Sequence, residues 1–490
     1  MPHLGFYHDD GLYWVTAKSL AEGHGYRIES LPTQPFQTKY PPLFPGLLAI
    51  AWKLNPRFPQ NLPIAALLAW CVFPFYIALC WTLFKRWRFS VREQFAMTAV
   101  TALNPLAVLF SCTLMPELLF TTLLLGVLLL ANRSGWVAGL LAGLAFLTKT
   151  AALPLALTVP LVLVLRRRFK HAGLFLVVFM PMVAAWQLWV QAHLVKSNDL
   201  VTLYYTDYFG FRAYNIGLRD LPWVAWHNLD ALLMAIGKLL TFDVAIFESK
   251  HLERIVAVAA IAGVIRLARK LDDLHYPAFA ALFGLMLLFW HYQPDQRFVF
   301  PLFPLLLAGI WVECKALNHA VLTAWRKPAR GERFVPGGAW ALLGACGVFV
   351  VACGVLGLYA FLPKLLNSYK ADLISRRPAY EWMKSHTPPG AGVFAYDDSL
   401  VYLYTGRRSC GIPIPTKYFY YDDDAALGRL VDGIPNFARA QGLSYILVTG
   451  SDFYRDLHSA GAQRLAQVVE KTASCRTQYR SGGVTIHLLE

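Results

Sequence analysis

Apolar residues fall in long recurring runs rather than in alternation. They can be drawn at 64–84, 94–112, 117–131, 135–148, 151–165, 172–192, 254–267, 276–291, 299–313 and 337–362. Runs of this kind predict a polytopic α-helical membrane protein with about ten visible transmembrane helices, although several are shorter than the ~20 residues of a straight span. Thr148, Lys149 and Thr150 interrupt 135–165, which folds as one long helix or two short ones.

The polar positions between runs decide that choice. With the N-terminal segment outside, the inward linkers carry Lys85 to Arg88, Arg133, Arg166 to Lys170, Arg266 to Lys270 and Lys315 to Arg333. Basic linkers belong on the cytoplasmic side. They all fall there only if 135–165 is two helices; a single helix would put the Arg166-Arg167-Arg168 triplet outside. Parity also makes 193–253 one long extracytoplasmic loop. Within it Trp223, Trp226, Leu229, Leu233, Ile236 and Leu240 recur at helical spacing, which predicts an amphipathic helix lying in the interface.

Beyond Leu362 the pattern changes. Short β-like runs (GVFAYDD, SYILVTG, VTIHLL) alternate with helical ones at 425–441 and 461–470, as in a small α/β domain. The expected organisation is an extracytoplasmic loop with amphipathic helices at 1–63, a transmembrane domain at 64–362, and an extracytoplasmic α/β domain at 363–490. A loop such as 1–63 is expected to follow a first transmembrane helix, which the sequence does not show. A truncated chain or a late-assigned start is therefore expected.

Composition agrees: 57% of residues are hydrophobic and 15% charged, less charge than a soluble protein of this length carries. The net charge of +15 sits in short linkers, without the aromatic-lined basic face of a nucleic-acid binder. The polyanion implied is lipid; nucleic acid is not a partner. Eight cysteines show no metal-binding spacing. Cys410 and Cys475 both lie in the polar C-terminal part, where an oxidising compartment would allow them to pair.

Polar residues at the shared outer face are costly unless paired or used, so the site is expected there. Asp9 and Asp10 open the chain in YHDDGLYW. Lys39 lies in TKYPP, Glu117 follows Pro116 in MPELLF, and Lys149 interrupts two apolar runs. His291, Tyr292 and Arg297 lie in HYQPDQRFVFP. One carboxylate to deprotonate a hydroxyl, with cations to stabilise a departing anion, is a sufficient kit for a group-transfer step. Neighbouring helical residues diverge by about 100°, so one aspartate serves as base while the other caps a helix starting near Gly11. The alternatives are an N-cap with surface charge for the acid pair, a snorkelling lysine for Lys39, a helix-dipole partner for Glu117, an Asp295 salt bridge for Arg297, and a hydrogen-bonded structural role for His291. Tyr421-Asp422-Asp423-Asp424 is expected to be a solvated turn.

HDDGLYWVTAKSLAEGHGY, TKYPPLFPGLLA, MPELLF, GLLAGLAFLTKTAALPLAL and DQRFVFPLFPLLL together resemble the GT-C glycosyltransferases, and among them the protein O-mannosyltransferase-like, family 39 type and the lipid A aminoarabinose transferases. The resemblance implies transfer of a sugar from a polyprenyl-phosphate donor to an acceptor hydroxyl, with inversion, at the outer face of a bacterial inner membrane. Asp9 or Asp10 would be the catalytic base, with Asp9 preferred. Lys39, Lys149 and Arg297 would hold the donor phosphate, and Glu117, His291 and Tyr292 would orient the acceptor or a metal. A divalent cation stays open, because some relatives use one and others do not. The acceptor is a lipid, a glycan or a protein. A transporter or flippase of lipid-linked sugars and a non-catalytic envelope scaffold are the rival readings.

Overall fold

The computed structural model describes residues 4–243, 249–325, 352, 354–453 and 459–490. Among the described residues three helices are long and apolar enough to cross a membrane: Leu62–Arg86, Phe169–His193 and Gln296–Ala320. A fourth candidate is the pair Val91–Ala102 and Pro105–Cys112, bent by 53°. Shorter apolar helices include Glu117–Leu130, Gly135–Thr148 and His275–Leu288. The first nine expected runs each contain helix, and most of the tenth (337–362) lies outside the described residues. The chain is a multi-pass membrane protein.

The single run expected at 94–112 is two helices, and its sequence explains the bend. Pro105 cannot continue a helix, and the Asn104 side chain accepts from the Leu106 and Ala107 amides at 2.9 and 3.1 Å to start a new one. The break at Lys149 is also present, with helix Gly135–Thr148 before it and Leu155–Leu165 after. Gly135, Gly139 and Gly143 form a stripe that lets Gly135–Thr148 close onto Phe169–His193. A Cβ on them would stand 2.2 Å from the His171 carbonyl oxygen, 2.6 Å from that of Phe175 and 2.1 Å from Met182 Sδ respectively.

The helix expected within 193–253 exists as Leu221–Thr241, with one side buried and another exposed. It lies against Lys250–Ala268 and His275–Leu288 with Asn228, Ala235, Ile236 and Leu239 buried, and Val224 is buried with Ile216 and Tyr420, while Trp223 and Trp226 are exposed. The spacing of the large aromatics marked the outer side of a helix that is apolar on two faces. Residues 200–206 and 208–215 form two further short helices, Leu200–Thr206 and Tyr208–Asn215.

The C-terminal region is a five-stranded sheet in the order β2-β1-β3-β5-β4. The strands are β1 Gly392–Phe394, β2 Arg408–Cys410, β3 Tyr445–Thr449, β4 Cys475–Ser481 and β5 Val484–Leu489. β1 is parallel to β2 and β3, and β5 is antiparallel to β3 and β4. Gly482 and Gly483, at φ +58 and +78, make the two-residue turn whose twist suits a β4–β5 hairpin. Cys410 and Cys475 are both free. They sit on the two opposite edge strands, so the fold separates the pair considered for a disulfide.

Alternation along the strands gives the sheet two buried faces. Val393, Leu447 and Ile486 meet Ala379, Tyr380 and Met383 of helix Leu362–His386. Phe394, Ile446 and Val448 share a core with Leu465 and Val469, and with Leu12, Ile28, Leu31, Val201 and Tyr205. The N-terminal segment therefore packs into the C-terminal sheet. The acids of helix His8–Glu22 are held where this joint core meets the membrane helices.

Candidate active site

The first turn of helix His8–Glu22 separates the roles of the two acids. The helix begins three residues before the expected Gly11, so Asp10 stands in its first turn. Asp10 is fully buried and accepts from the Gly5, Phe6 and Tyr7 amides at 3.0, 2.9 and 3.2 Å. Both its oxygens are therefore engaged with backbone. Burial lifts its carboxyl to about 7 in spite of those donors. That value alone would suit a base, but reach comes before pKa.

Asp9 points the other way. Its Oδ2 meets Arg297 Nη1 at 2.9 Å, and its Oδ1 accepts from the Tyr40 hydroxyl at 2.6 Å. Burial alone would raise the Asp9 carboxyl, but Arg297, Lys39 and the Tyr40 hydroxyl outweigh it and hold it well below the usual range.

Arg297 extends the contact inward. Asp295 caps its short helix, accepting from the Arg297 and Phe298 amides at 2.9 and 3.3 Å. The side-chain partner of Arg297 is thus Asp9 and not the sequence neighbour Asp295. Arg297 Nε lies 3.6 Å from Glu117 Oε1, and the guanidinium stacks over the Tyr7 and Phe298 rings at 5.0 and 5.1 Å. Glu117, 1% exposed at the start of helix Glu117–Leu130, also takes Lys149 Nζ at 2.9 Å. Lys149 sits over the Phe298 ring at 5.5 Å. Lys149, Glu117, Arg297, Asp9 and Tyr40 thus form one polar chain of hydrogen bonds and ion pairs from five separate parts of the sequence.

Lys39 stands beside this chain. Gln37 fixes it by accepting from the Lys39 and Tyr40 amides at 2.9 and 3.1 Å, while Thr38 donates to the Thr206 carbonyl at 2.7 Å. Its ammonium lies 4.1 Å from the Tyr204 ring centre and 5.3 Å from that of Tyr40, and makes no hydrogen bond among the described residues. Burial lowers Lys39 to about 8. Three cations and two carboxylates leave this group with one excess positive charge and one uncommitted ammonium, a setting for an anion.

His291 and Tyr292 lie nearby in different roles. His291 is enclosed by Tyr208, Phe211, Trp290 and Tyr292 rings, and neither ring nitrogen has a hydrogen-bond partner among the described residues. The expected hydrogen-bonded histidine is therefore a ring in an aromatic box, pushed down to about 3 by burial and by Lys39 and Arg212. Tyr292 lines a cavity of about 490 Å³. Asp10, Glu117 and His291 do not gather as metal ligands. Among the described residues the one such trio is Glu22, His24 and Glu29, whose two carboxylates already face Lys18.

The sequence reading overlooked His8, Tyr40, Tyr205 and Asp398. His8 Nε2 is 3.0 Å from Asp398 Oδ1, and Tyr205 donates to Asp398 Oδ2. Burial lowers the His8 pKa, but the Asp398 contact overrides it and raises the ring above its ordinary value. A second Asp-Asp pair, Asp397-Asp398 in AYDDSL, was the available signal. The expected turn at 421–424 is present, with Asp422 at φ +49 and Asp423 capping Ala426 at 2.8 Å.

The architecture is similar to that of ArnT from Cupriavidus metallidurans bound to undecaprenyl phosphate, at 15% identity, covering 99% of this chain and 94% of that one, with a TM-score of 0.54. The same protein in the apo state matches at 14% identity, covering 100% and 94%, with a TM-score of 0.54. Arabinofuranosyltransferase AftD from Mycobacteria matches at 16% identity over 100% of this chain and 38% of that one, with a TM-score of 0.47. No curated protein matches by sequence. At these identities the ArnT likeness shows a GT-C fold. The model of glycosyltransferase family 87 matches residues 38–294, a stretch that includes Lys39, Glu117, Lys149, His291 and Tyr292. That match covers more than half of the sequence: the chain is a membrane glycosyltransferase of GT-C type and belongs to glycosyltransferase family 87.

Proposed function

We propose that the protein transfers a sugar from a polyprenyl-phosphate donor to an acceptor hydroxyl at the outer face of a bacterial inner membrane, with inversion at the anomeric carbon. The observation that carries the reading is the polar chain Lys149–Glu117–Arg297–Asp9–Tyr40 with Lys39 beside it. Lys39, Arg297 and Lys149 hold the donor phosphate and take up the negative charge that appears as its bond to the sugar breaks. The acceptor oxygen attacks from the opposite side, and its proton passes to Asp9. A seated phosphate gives Arg297 a second anionic partner. Asp9 then loses part of the charge that holds its pKa down, so its basicity rises as the donor arrives. Asp10 is the structural member of the pair. Tyr292 faces the acceptor, and His291 fixes the position of Tyr292 through ring contact.

The undecaprenyl phosphate named with ArnT supports the donor class, and the basic linkers support the sidedness. The test is transfer in proteoliposomes loaded with polyprenyl-phosphate pentoses or hexoses and envelope extracts. Wild type is expected to transfer, and Arg297→Ala and Lys149→Met to fall by about tenfold or more in kcat/KM. Transfer from a nucleotide sugar, with none from any polyprenyl-phosphate sugar, would remove the donor assignment.

A further inference from the structure

The cavity of about 490 Å³ lies between the N-terminal segment, helix Leu200–Thr206 and the C-terminal sheet. Its size is that of a small-ligand site, and its charge differs from that of the Asp9 group. Tyrosines apart, its ionisable walls are His8, Asp372, Arg376 and Asp397. Arg376 is 4% exposed. Its guanidinium is closed by Asp372 at 2.7 Å, by Asp397 at 2.5 Å and by the Ser451 hydroxyl at 2.7 Å. Arg376 faces two aspartates and His8 is held by Asp398 at 3.0 Å, so each cation on this wall is already matched by carboxylate, and an entering phosphate would meet net negative charge. The remaining surface mixes aliphatic side chains with aromatic rings, among them Tyr204, Tyr205 and Tyr292. Ring faces carry negative quadrupole charge that attracts the C–H face of a sugar. Carboxylates, an imidazole and a serine serve its hydroxyls.

The cavity also adjoins the transfer site. His8 is on its wall and precedes Asp9, and the Tyr204 ring that borders it carries Lys39 on its face. Asp9 itself is not on the wall.

We infer that this cavity is the acceptor subsite and that its ligand is a neutral saccharide, the terminal ring of a glycan, rather than a phosphorylated lipid headgroup or a peptide. The inference rests on the reading of the Asp9 group as the transfer site. A neutral sugar ring could come from the donor or from the acceptor, and the arms of the test separate the two.

Ile412→Trp and Ile414→Trp place an indole on the wall away from the charged chain. Full-length protein in nanodiscs is assayed for undecaprenyl phosphate binding, for hydrolysis of a polyprenyl-phosphate sugar, for transfer, and for saturation-transfer NMR with neutral methyl hexosides and pentosides. Both variants should keep lipid-phosphate affinity and donor hydrolysis within about twofold while transfer falls about tenfold or more and the glycoside signal disappears. Loss of hydrolysis together with transfer, at intact lipid-phosphate binding, would give the cavity to the donor sugar and overturn the inference. Unchanged transfer and NMR signal would also overturn it. On wild type alone, a methyl glycoside should compete better than its phosphorylated counterpart, and the reverse order would refute the neutral class. Wild type that binds no lipid phosphate would strike the Asp9 reading instead, so the two failures are distinguishable.

Discussion

Adjacent acids invite one experiment that treats them as different parts. Asp10→Ala removes the acceptor from three amides. Phe6 N–H is buried and those of Gly5 and Tyr7 are partly so. A buried donor left without a partner costs roughly 1–3 kcal/mol, and two donors that water can reach cost about 0.5–1 each, giving roughly 2–5 kcal/mol in all. In a chain this long that is about 2 °C or less of melting temperature per kcal/mol, hence a fall of several degrees at a fixed scan rate. The folded fraction of Asp10→Ala should still transfer within about tenfold of wild type. Asp9→Asn keeps the shape and an acceptor for Tyr40 but cannot take a proton. Its folded fraction should lose about 10²–10⁴ in kcat, or about 3–5 kcal/mol of barrier lowering. The assay is sugar transfer well below each variant's melting temperature, normalised to monodisperse protein. Two results would refute the reasoning: Asp10→Ala melting like wild type yet inactive, or Asp9→Asn transferring at full rate.

Two other outcomes follow from the geometry. Lys39, lowered to about 8, is protonated below that pH and neutral above it, so kcat/KM for the anionic donor should fall as pH rises through about 8. Lys39→Arg, which stays charged, should remove that limb even if its rate is lower, and a persistent limb would assign it to another group. Gly139→Ala puts a Cβ 2.6 Å from the Phe175 carbonyl oxygen and should cost about 1–3 kcal/mol through overpacking. Gly173→Ala, with nothing within 4 Å, should be neutral or slightly stabilising; equal melting of the two would refute the close helix contact.

The membrane helices were legible because lipid demands dense apolar runs, and the break at Lys149 because a lone cation cannot sit inside one. The bend at Asn104-Pro105 was missed where apolar composition continued across a proline. Strand β4, CRTQYRS, is an exposed edge strand that lacks the buried face from which alternation arises, and β2 is only three residues long. For the site, the sequence supplied Asp9, Glu117, Lys149 and Arg297 individually but not their pairing. Arg297 meets Asp9 across 288 residues of chain, a separation that no local pattern encodes. Asp295 was the nearer candidate, and helix capping had already claimed it.

The joint core of the first and last segments has a consequence for biogenesis. Leu12, Ile28 and Leu31 are made early, yet the strand residues that cover them, from Phe394 to Leu489, are synthesised several hundred residues later. At about 5–20 residues per second the delay is roughly 20–90 s. Throughout that interval the segment bearing Asp9 and Asp10 has been made while its packing partner has not. Strand β5 is then the element that completes the cover over this N-terminal helix, so the segment stays open to proteases on a nascent chain until β5 has been made.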